Sequence, residues 1–145
     1  IGNIENKYGN YLKMKYTDTS IRFVGSIYDK HALDSLRYYA SIYFHGHSVG
    51  GTNPSLLEAM ASQAFIIAHD NEFNGSVCGE NAYYFTSKED VSTLILANRD
   101  GDGRERKKMI QQNLRTVYQD YSWNHIVESY ENLFLNGLES NRVTE

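Results

Sequence analysis

The sequence has few of the features that mark secreted, membrane-spanning or nucleic-acid-binding proteins. Its single cysteine, Cys78, can form no internal disulfide and no thiolate cluster, so a reducing cytoplasm is the expected compartment. Its apolar runs are only a few residues long, whereas a membrane-spanning helix needs roughly 20 apolar residues. Fourteen basic and eighteen acidic residues give a net charge of -4, without a run of like charges that could track a phosphate backbone. Nucleic acid is therefore not an expected partner.

The length of the chain, 145 residues, fits one domain with a sizeable core. We predict a single domain over residues 1–145, with an α/β core over residues 1–103 and C-terminal helices over residues 104–138. The chain opens Ile1-Gly2-Asn3, without an initiator methionine or the apolar core of a signal peptide. The sequence is therefore predicted to be a piece of a longer protein.

The hydrophobic periodicity alternates between helical and extended segments. It predicts helices over residues 4–16, 29–40 and 54–62, strands over residues 21–24, 41–45, 65–68 and 82–85, a polar loop over residues 70–81, and further helices after residue 85. Strands separated by helices imply right-handed crossovers, which build a parallel sheet with helices on both faces. The predicted fold is a Rossmann-like, doubly wound α/β domain with a helical C-terminal tail.

The most informative segment joins a predicted strand to a predicted helix over residues 45–61, with the sequence HGHSVGGTNPSLLEAMA. Gly50 and Gly51 allow a sharp turn, Asn53 is a suitable helix N-cap, and Pro54 fits the first helical position. A helix N-terminus beside a glycine turn can hold a phosphate, because it presents free N–H groups and a positive dipole end. The alternative is a well-capped helix with no ligand.

Glu58 is the only charged side chain between Arg37 and Asp70. It lies one turn into the predicted helix, within an otherwise apolar run, and we expect it to be buried and to point toward the helix N-terminus. Neighbouring ribose hydroxyls would satisfy this carboxylate. The alternatives are a solvated glutamate on an open helix edge or one paired with a distant arginine.

Other polar residues near the same strand ends have competing interpretations. His45 and His47 are two apart on a strand and suggest a metal site, but no third ligand accompanies them, and a place for His47 in a ligand pocket is preferred. Asp70, Asn71 and Asn74 follow the next strand and could reach a ligand, although asparagine-rich loops usually serve turn chemistry. Cys78 has no identifiable activating partner, so packing is preferred to nucleophilic chemistry.

The segment from Gly50 to Ala61, with Phe23-Val24-Gly25 and Tyr121-Ser122-Trp123, resembles the C-terminal, donor-binding half of a family 4 glycosyltransferase of the GT-B fold. The run from His45 to Ala59 is more narrowly similar to bacterial rhamnosyltransferases of polysaccharide assembly. The N-terminal, acceptor-binding domain of that architecture is absent. The first strand and the basic loop that open the C-terminal half are absent as well.

The resemblance assigns roles to individual residues. Glu58 matches the second glutamate of the Glu-x7-Glu motif, which binds the nucleotide ribose, whereas the first glutamate of the motif falls at Gly50 and is missing. The remaining nucleotide-sugar-binding residues that it implies are Gly51, Thr52 and Asn53 for the diphosphate, with Ser55 beside them, His47 for the donor pocket, and Gly25, Ser26 and Ile27 for the base. An ordinary turn between a strand and a helix is the alternative for the last three. It implies no catalytic residue in this half and no metal ligand.

The function that this resemblance implies is retaining transfer of a sugar onto a bacterial polysaccharide or a lipid-linked glycan. The expected donor is dTDP-L-rhamnose or another nucleoside-diphosphate sugar, no cofactor is needed, and the missing domain would bind the acceptor. This fragment alone is expected to be inactive. The expected location is cytoplasmic, and peripheral association with the inner face of the bacterial membrane is compatible with a lipid-linked acceptor.

A second hypothesis is a non-catalytic nucleotide-binding regulatory module of flavodoxin-like fold, which would use the same helix N-terminus. A dehydrogenase domain is disfavoured, because Gly-x-Gly-x-x-Gly does not follow the first predicted strand. A P-loop is disfavoured because the glycine turn is not followed by Gly-Lys-Ser/Thr.

Overall fold

A computed structural model describes residues 1–18, 20–99 and 103–142, without the side chains of residues 99 and 138–142. The chain divides into two compact units, Ile1–Leu36 and Arg37–Glu145. The predicted boundary at residue 103 adjoins residues 100–102, which lie outside the described residues.

The N-terminal unit contains helix α1, Lys7–Lys15, which confirms the predicted first helix in a shorter form. Asn6 caps the helix, because its side-chain oxygen accepts a hydrogen bond from the Gly9 amide at 2.8 Å. Gly9 is buried, and a Cβ atom there would lie 2.2 Å from the carbonyl oxygen of Ile4. The chain before the helix therefore passes so close to it that only glycine fits.

The predicted strand over residues 21–24 is wrong, because this segment has no regular secondary structure. Its β-branched and aromatic residues favour an extended chain, but an extended chain becomes a strand only when its backbone pairs with another. The backbone hydrogen bonds near this segment are single bonds that do not form a ladder. The Ile21 amide donates to the Asp18 carbonyl, and the Gly2 amide donates to the Gly25 carbonyl.

The second unit contains a parallel sheet whose strands alternate with helices. Helix α2 begins in the first unit and ends in the second. The elements in chain order are α2 (Lys30–Tyr39), β1 (Tyr43–His45), α3 (Pro54–Ala61), β2 (Ile66–His69), α4 (Glu72–Cys78), β3 (Tyr83–Phe85), α5 (Lys88–Arg99), α6 (Gly103–Asp120) and α7 (Trp123–Arg142).

The strands lie in the order β1-β2-β3, all parallel, with Tyr43 opposite Ile66 and Ile67 opposite Tyr83. On the central strand, Ile66 and Ala68 point to one face and Ile67 points to the other, yet all three are fully buried. Burial on both faces is typical of a parallel sheet with helices on each side. The predicted α/β class with a parallel sheet is confirmed.

The core lies between this sheet and the helices that follow its strands. From α3, Leu56 and Met60 are one helical turn apart and both are fully buried. The buried cluster comprises Leu56, Met60, Ile66, Ala68, Val77, Cys78 and Ala82. Cys78 is only 2% exposed and its sulfur lies 4.0 Å from that of Met60, as the packing interpretation predicts.

The predicted loop over residues 70–81 contains a helix, α4, so that prediction is wrong for residues 72–78. Asn71 caps its start by accepting a hydrogen bond from the Asn74 amide at 2.9 Å, and Gly79 ends it with a φ of 53°. The same polar residues that suggest turns thus serve as the two caps of a short helix.

The C-terminal segment is helical, as predicted for residues 104–138, and forms α6 and α7. The apolar stripe of α7 is largely exposed, with Tyr130 59% and Phe134 67% accessible. Among the described residues, no helix is long and apolar enough to cross a membrane.

Candidate functional site

The candidate site lies where β1 and β2 end, at the carboxyl edge of the parallel sheet. The chain leaves β1 at His45, crosses an open loop over residues 46–53, and enters α3 at Pro54. Asn53 caps this helix, because its Oδ1 accepts hydrogen bonds from the Ser55 amide at 3.0 Å and from the Ser55 hydroxyl at 2.8 Å. The predicted helix start is confirmed. Ligands of doubly wound sheets bind at this edge.

The loop between β1 and α3 is open to solvent. Gly50 has a φ of 110°, a backbone conformation that side chains other than glycine rarely adopt. Nothing lies within 4 Å of where a Cβ of Gly50 or Gly51 would stand. Thr52 and His47 are exposed as well, while Asn53 is half-buried. The loop therefore leaves room for a ligand in front of the first turn of α3.

Glu58 is not the buried carboxylate that the sequence predicts. Its side chain is 47% exposed, and its Oε2 accepts a hydrogen bond from Nη2 of Arg37 at 2.7 Å. The Arg37 side chain is only 7% exposed. The buried face of α3 is taken instead by apolar residues such as Leu56 and Met60. Glu58 thus pairs with an arginine distant in the sequence, which is one of the alternatives given above. Its contact with a ribose stays a prediction.

Two histidine rings stack at the end of β1. The ring centroids of His45 and His47 are 4.6 Å apart, and Tyr43 stacks on the other side of His45 at 6.2 Å. His45 is 1% exposed, and neither of its ring nitrogens has a hydrogen-bond partner among the described residues. Burial, with a further contribution from the charge of His47, lowers the pKa of His45 to about 4. His45 is thus held neutral beside an exposed imidazole.

Two asparagines clamp the strand ends together. The amide nitrogen of Asn74, a residue only 3% exposed, donates to the carbonyl oxygens of His47 at 3.0 Å and His69 at 2.8 Å. The amide nitrogen of Asn71 also donates to the His47 carbonyl at 3.0 Å. These asparagines follow the turn-chemistry interpretation, because their side chains fix the backbone on either side of the open loop.

The residues predicted to contact the base belong to the N-terminal unit. Gly25, with a φ of 73°, and Ser26 line a cavity of about 440 Å³ within that unit, together with Lys13 and Tyr28. Ile27 does not line it. The other predicted site residues, from His47 to Glu58, all belong to the second unit.

The sequence did not identify Arg37 as the partner of Glu58, nor did it show that Asn71 and Asn74 donate hydrogen bonds to the backbone of the loop after β1. Arg37 is 21 positions away from Glu58, and no local spacing connects the two. For Asn71 a local signal exists, since asparagine is a preferred helix N-cap residue. Among the residues that the structure describes, no three His, Cys, Asp or Glu side chains are grouped so that they could hold a metal ion.

Comparison with known proteins supports the fold. A chain in the crystal structure of the GtfA/B complex superposes with a TM-score of 0.69 at 17% sequence identity, over 91% of this chain and 27% of that chain. No protein-family model and no curated protein sequence matches. This chain thus spans about a quarter of the length of the protein that it resembles. At this identity the likeness shows the fold alone, which is a Rossmann-type α/β fold.

Proposed function

We propose that this chain is the nucleotide-sugar-binding part of a glycosyltransferase. The observation that carries the proposal is the open glycine loop over residues 46–53, which leads from the carboxyl end of β1 into the capped N-terminus of α3. The positive end of the α3 dipole and its free N–H groups would receive the diphosphate of the donor, with Gly51, Thr52 and Asn53 around it. The Rossmann-type α/β fold, together with the resemblance of the sequence to family 4 glycosyltransferases, supports this assignment.

The α3 N-terminus would act on the leaving group of the reaction. Breaking the bond between the sugar and the diphosphate places negative charge on the diphosphate, and fixed dipoles that point at it stabilise that charge. Ser55 lies in the first turn, and the exposed ring of His47 lies on the loop. No residue of this chain is proposed as a general acid or base, and the proposed transfer would also require an acceptor-binding domain.

Glu58 would bind the ribose while it stays paired with Arg37. The ion pair uses Oε2, and no described residue donates a hydrogen bond to Oε1. Because the carboxylate is half-exposed, ribose hydroxyls could donate to it without displacing the arginine. Arg37 would then be a positioning residue, since a buried guanidinium fixes the orientation of the carboxylate.

The finer identity of the reaction rests on sequence resemblance. We propose dTDP-L-rhamnose as the donor, retention of anomeric configuration, and a bacterial polysaccharide or lipid-linked glycan as the acceptor. The proposed setting is the cytoplasm, with peripheral association at the inner face of the membrane. The glycine at position 50, where the family motif has a glutamate, fits a donor sugar with fewer hydroxyl groups.

Titration of the chain with dTDP, UDP, GDP and dTDP-rhamnose, followed through its backbone amide signals, tests the proposal. We expect saturable shifts at residues 50–55, and about tenfold weaker binding by Glu58→Gln, because a hydrogen bond to a charged group is lost. Glu80→Gln, a change at an exposed carboxylate outside the site, is the control. Absence of binding to every nucleotide by the full-length protein would refute the proposal.

Because Glu58→Gln also removes the partner of Arg37, a second variant is needed. Arg37→Gln breaks the same ion pair but keeps the carboxylate. If Glu58 contacts the ribose, Glu58→Gln weakens binding more than Arg37→Gln does. Equal losses would mean that the ion pair supports the site only through the fold. Binding that ignores the sugar altogether would favour the non-catalytic nucleotide-binding module.

A further inference from the structure

The second unit, which holds the sheet, contains a cavity at the opposite edge of the sheet from the candidate site. Its volume is about 440 Å³, and it is lined by residues of the end of α2, the turn between α3 and β2, and the N-terminal half of α6. Ala40 and Gln63, which line it, come shortly before β1 and β2. The cavity is therefore at the amino edge, where the strands begin.

The lining of this cavity is basic although the chain is acidic overall. Arg106 and Lys107 line it, none of the described lining residues is acidic, and the net charge of the chain is -4. No carboxylate among the described residues forms an ion pair with Arg106 or Lys107. The neighbouring carboxylate of Glu105 instead interacts with the Tyr83 hydroxyl, where it adds to burial in raising the pKa of that hydroxyl. The positive charge of the cavity is thus left without a protein counter-ion.

The guanidinium of Arg106 is held in place before any ligand arrives. Its Nη2 donates a hydrogen bond to the carbonyl oxygen of Ser41, and its central carbon lies 4.8 Å from the centroid of the buried Phe65 ring. A guanidinium has five N–H donors, so further donors stay available after this bond. A fixed, planar fork matches the oxygens of a phosphate group and loses little entropy when it binds one.

The turn before β2 adds an amide to the same cavity. Gln63 has a φ of 57° and follows the end of α3, a position at which glycine would be the least strained residue. A side chain in this conformation costs roughly 1 kcal/mol, yet the residue here is a glutamine, and it lines the cavity. Gln111 of α6 contributes a second amide. Amide N–H groups donate to phosphate oxygens as guanidinium groups do.

We propose that this cavity binds a phosphate group, with Arg106 as the bidentate donor and Lys107 as the second charge. The volume accommodates a phosphate ester with bound water. A free phosphate and the headgroup of an anionic phospholipid share this chemistry. The proposal does not depend on the nucleotide-sugar assignment, because the two sites lie at opposite edges of the sheet.

Titration of the whole chain at low salt, followed through backbone amide signals, separates the two sources. One arm uses inorganic phosphate, and the other uses vesicles of phosphatidylglycerol and phosphatidylcholine in equal parts, compared with vesicles of phosphatidylcholine alone. We expect saturable changes at Gln63, Lys107 and Gln111 in at least one arm. Changes with inorganic phosphate identify a soluble phosphate as sufficient, whereas changes only with the anionic vesicles identify the headgroup.

Two variants and a matched control test the residues. Lys107→Gln removes an exposed charge and is expected to weaken binding about tenfold. Arg106→Lys keeps the charge but loses the planar guanidinium fork, and it is expected to weaken binding as well. Lys88→Gln makes the same charge change on a side chain that is 90% exposed and outside the cavity. Equal weakening by Lys107→Gln and Lys88→Gln would overturn the proposal, because binding would then follow net charge. Absence of saturable change at the cavity in both arms would overturn it too.

Discussion

The buried imidazole of His45 makes the stability of the fold depend on pH in a calculable way. In the folded protein burial lowers the pKa of His45 to about 4, from an ordinary value of 6.5. The unfolded chain therefore binds more protons than the folded chain between these two values. Stability is highest above the unfolded pKa and falls as the pH decreases toward the folded pKa.

The size of the His45 effect follows from the two pKa values. A separation of about 2.5 units corresponds to about 3 kcal/mol when both titrations are complete, at 1.36 kcal/mol per unit. At about pH 5, where the unfolded chain is protonated and folded His45 is still neutral, about 2 kcal/mol of this is already lost relative to about pH 7.5. That loss is a large share of the stability of a small domain.

His45→Phe is the informative substitution. It keeps an aromatic ring between Tyr43 and His47 but removes the titrating group and two buried nitrogens without partners. Urea unfolding of both proteins at about pH 7.5 and about pH 5 is expected to show about 2 kcal/mol less loss in the variant. His31→Phe, which removes an exposed imidazole, is the control.

The comparison of the two proteins isolates His45 from other groups that titrate in the same range. Any constant gain or loss from fitting a phenylalanine ring cancels when the two pH values are compared. Proton NMR of the His45 ring measures the folded pKa directly. A folded pKa near 6.5, or an equal loss of stability in both proteins, would refute the reasoning.

Three further predictions concern packing elsewhere in the chain. Asn74→Ala should cost about 1–3 kcal/mol in urea unfolding, because the buried Asn74 amide loses its hydrogen bonds to the carbonyl oxygens of His47 and His69, and an unchanged midpoint would contradict the clamp. Gly9→Ala should destabilise the N-terminal unit by about 1–3 kcal/mol despite the high helix propensity of alanine, because the added Cβ meets the Ile4 carbonyl. Faster hydrogen exchange of the α1 amides would show this loss, and slower exchange would count against it. The Cys78 thiol, buried and with its pKa raised to about 12, should react with a disulfide reagent at least about a hundredfold more slowly in native than in urea-unfolded protein, and comparable rates would disprove its burial.

Most elements of the second unit could be predicted from the sequence because each carries its own local signal, whereas α4 was missed. Residues 54–61 combine a cap, a proline and an apolar face, and the structure has α3 there. The segment over residues 21–24 has an equally clear strand composition but forms no strand. Composition reports the preference of a segment for an extended backbone, whereas the partner that completes a ladder is a property of the whole fold.

In the candidate site too, the interactions between residues close in the sequence could be predicted, and those between distant residues could not. Asn53 as the helix cap follows from neighbours in the sequence, and it was predictable. The pairing of Glu58 with Arg37 joins α3 to α2, and no periodicity reveals a contact of that kind. The expectation that Glu58 is buried failed for a related reason, because an apolar neighbourhood in the sequence does not show which helix face lies against the sheet.

The clamp formed by the asparagines explains how an open loop and a defined ligand edge coexist. Asn74 joins the backbone just beyond β1 to the last residue of β2, while Asn53 fixes the other end of the loop at α3. Between these two fixed points, residues 48–52 are exposed and include Gly50 with its positive φ. The N–H groups of α3 are therefore held at a set position relative to the strand ends, and only the short glycine segment would have to adjust around a diphosphate bound as proposed. Pre-organisation of this kind reduces the entropy lost on binding, because the adjustment is confined to a few residues.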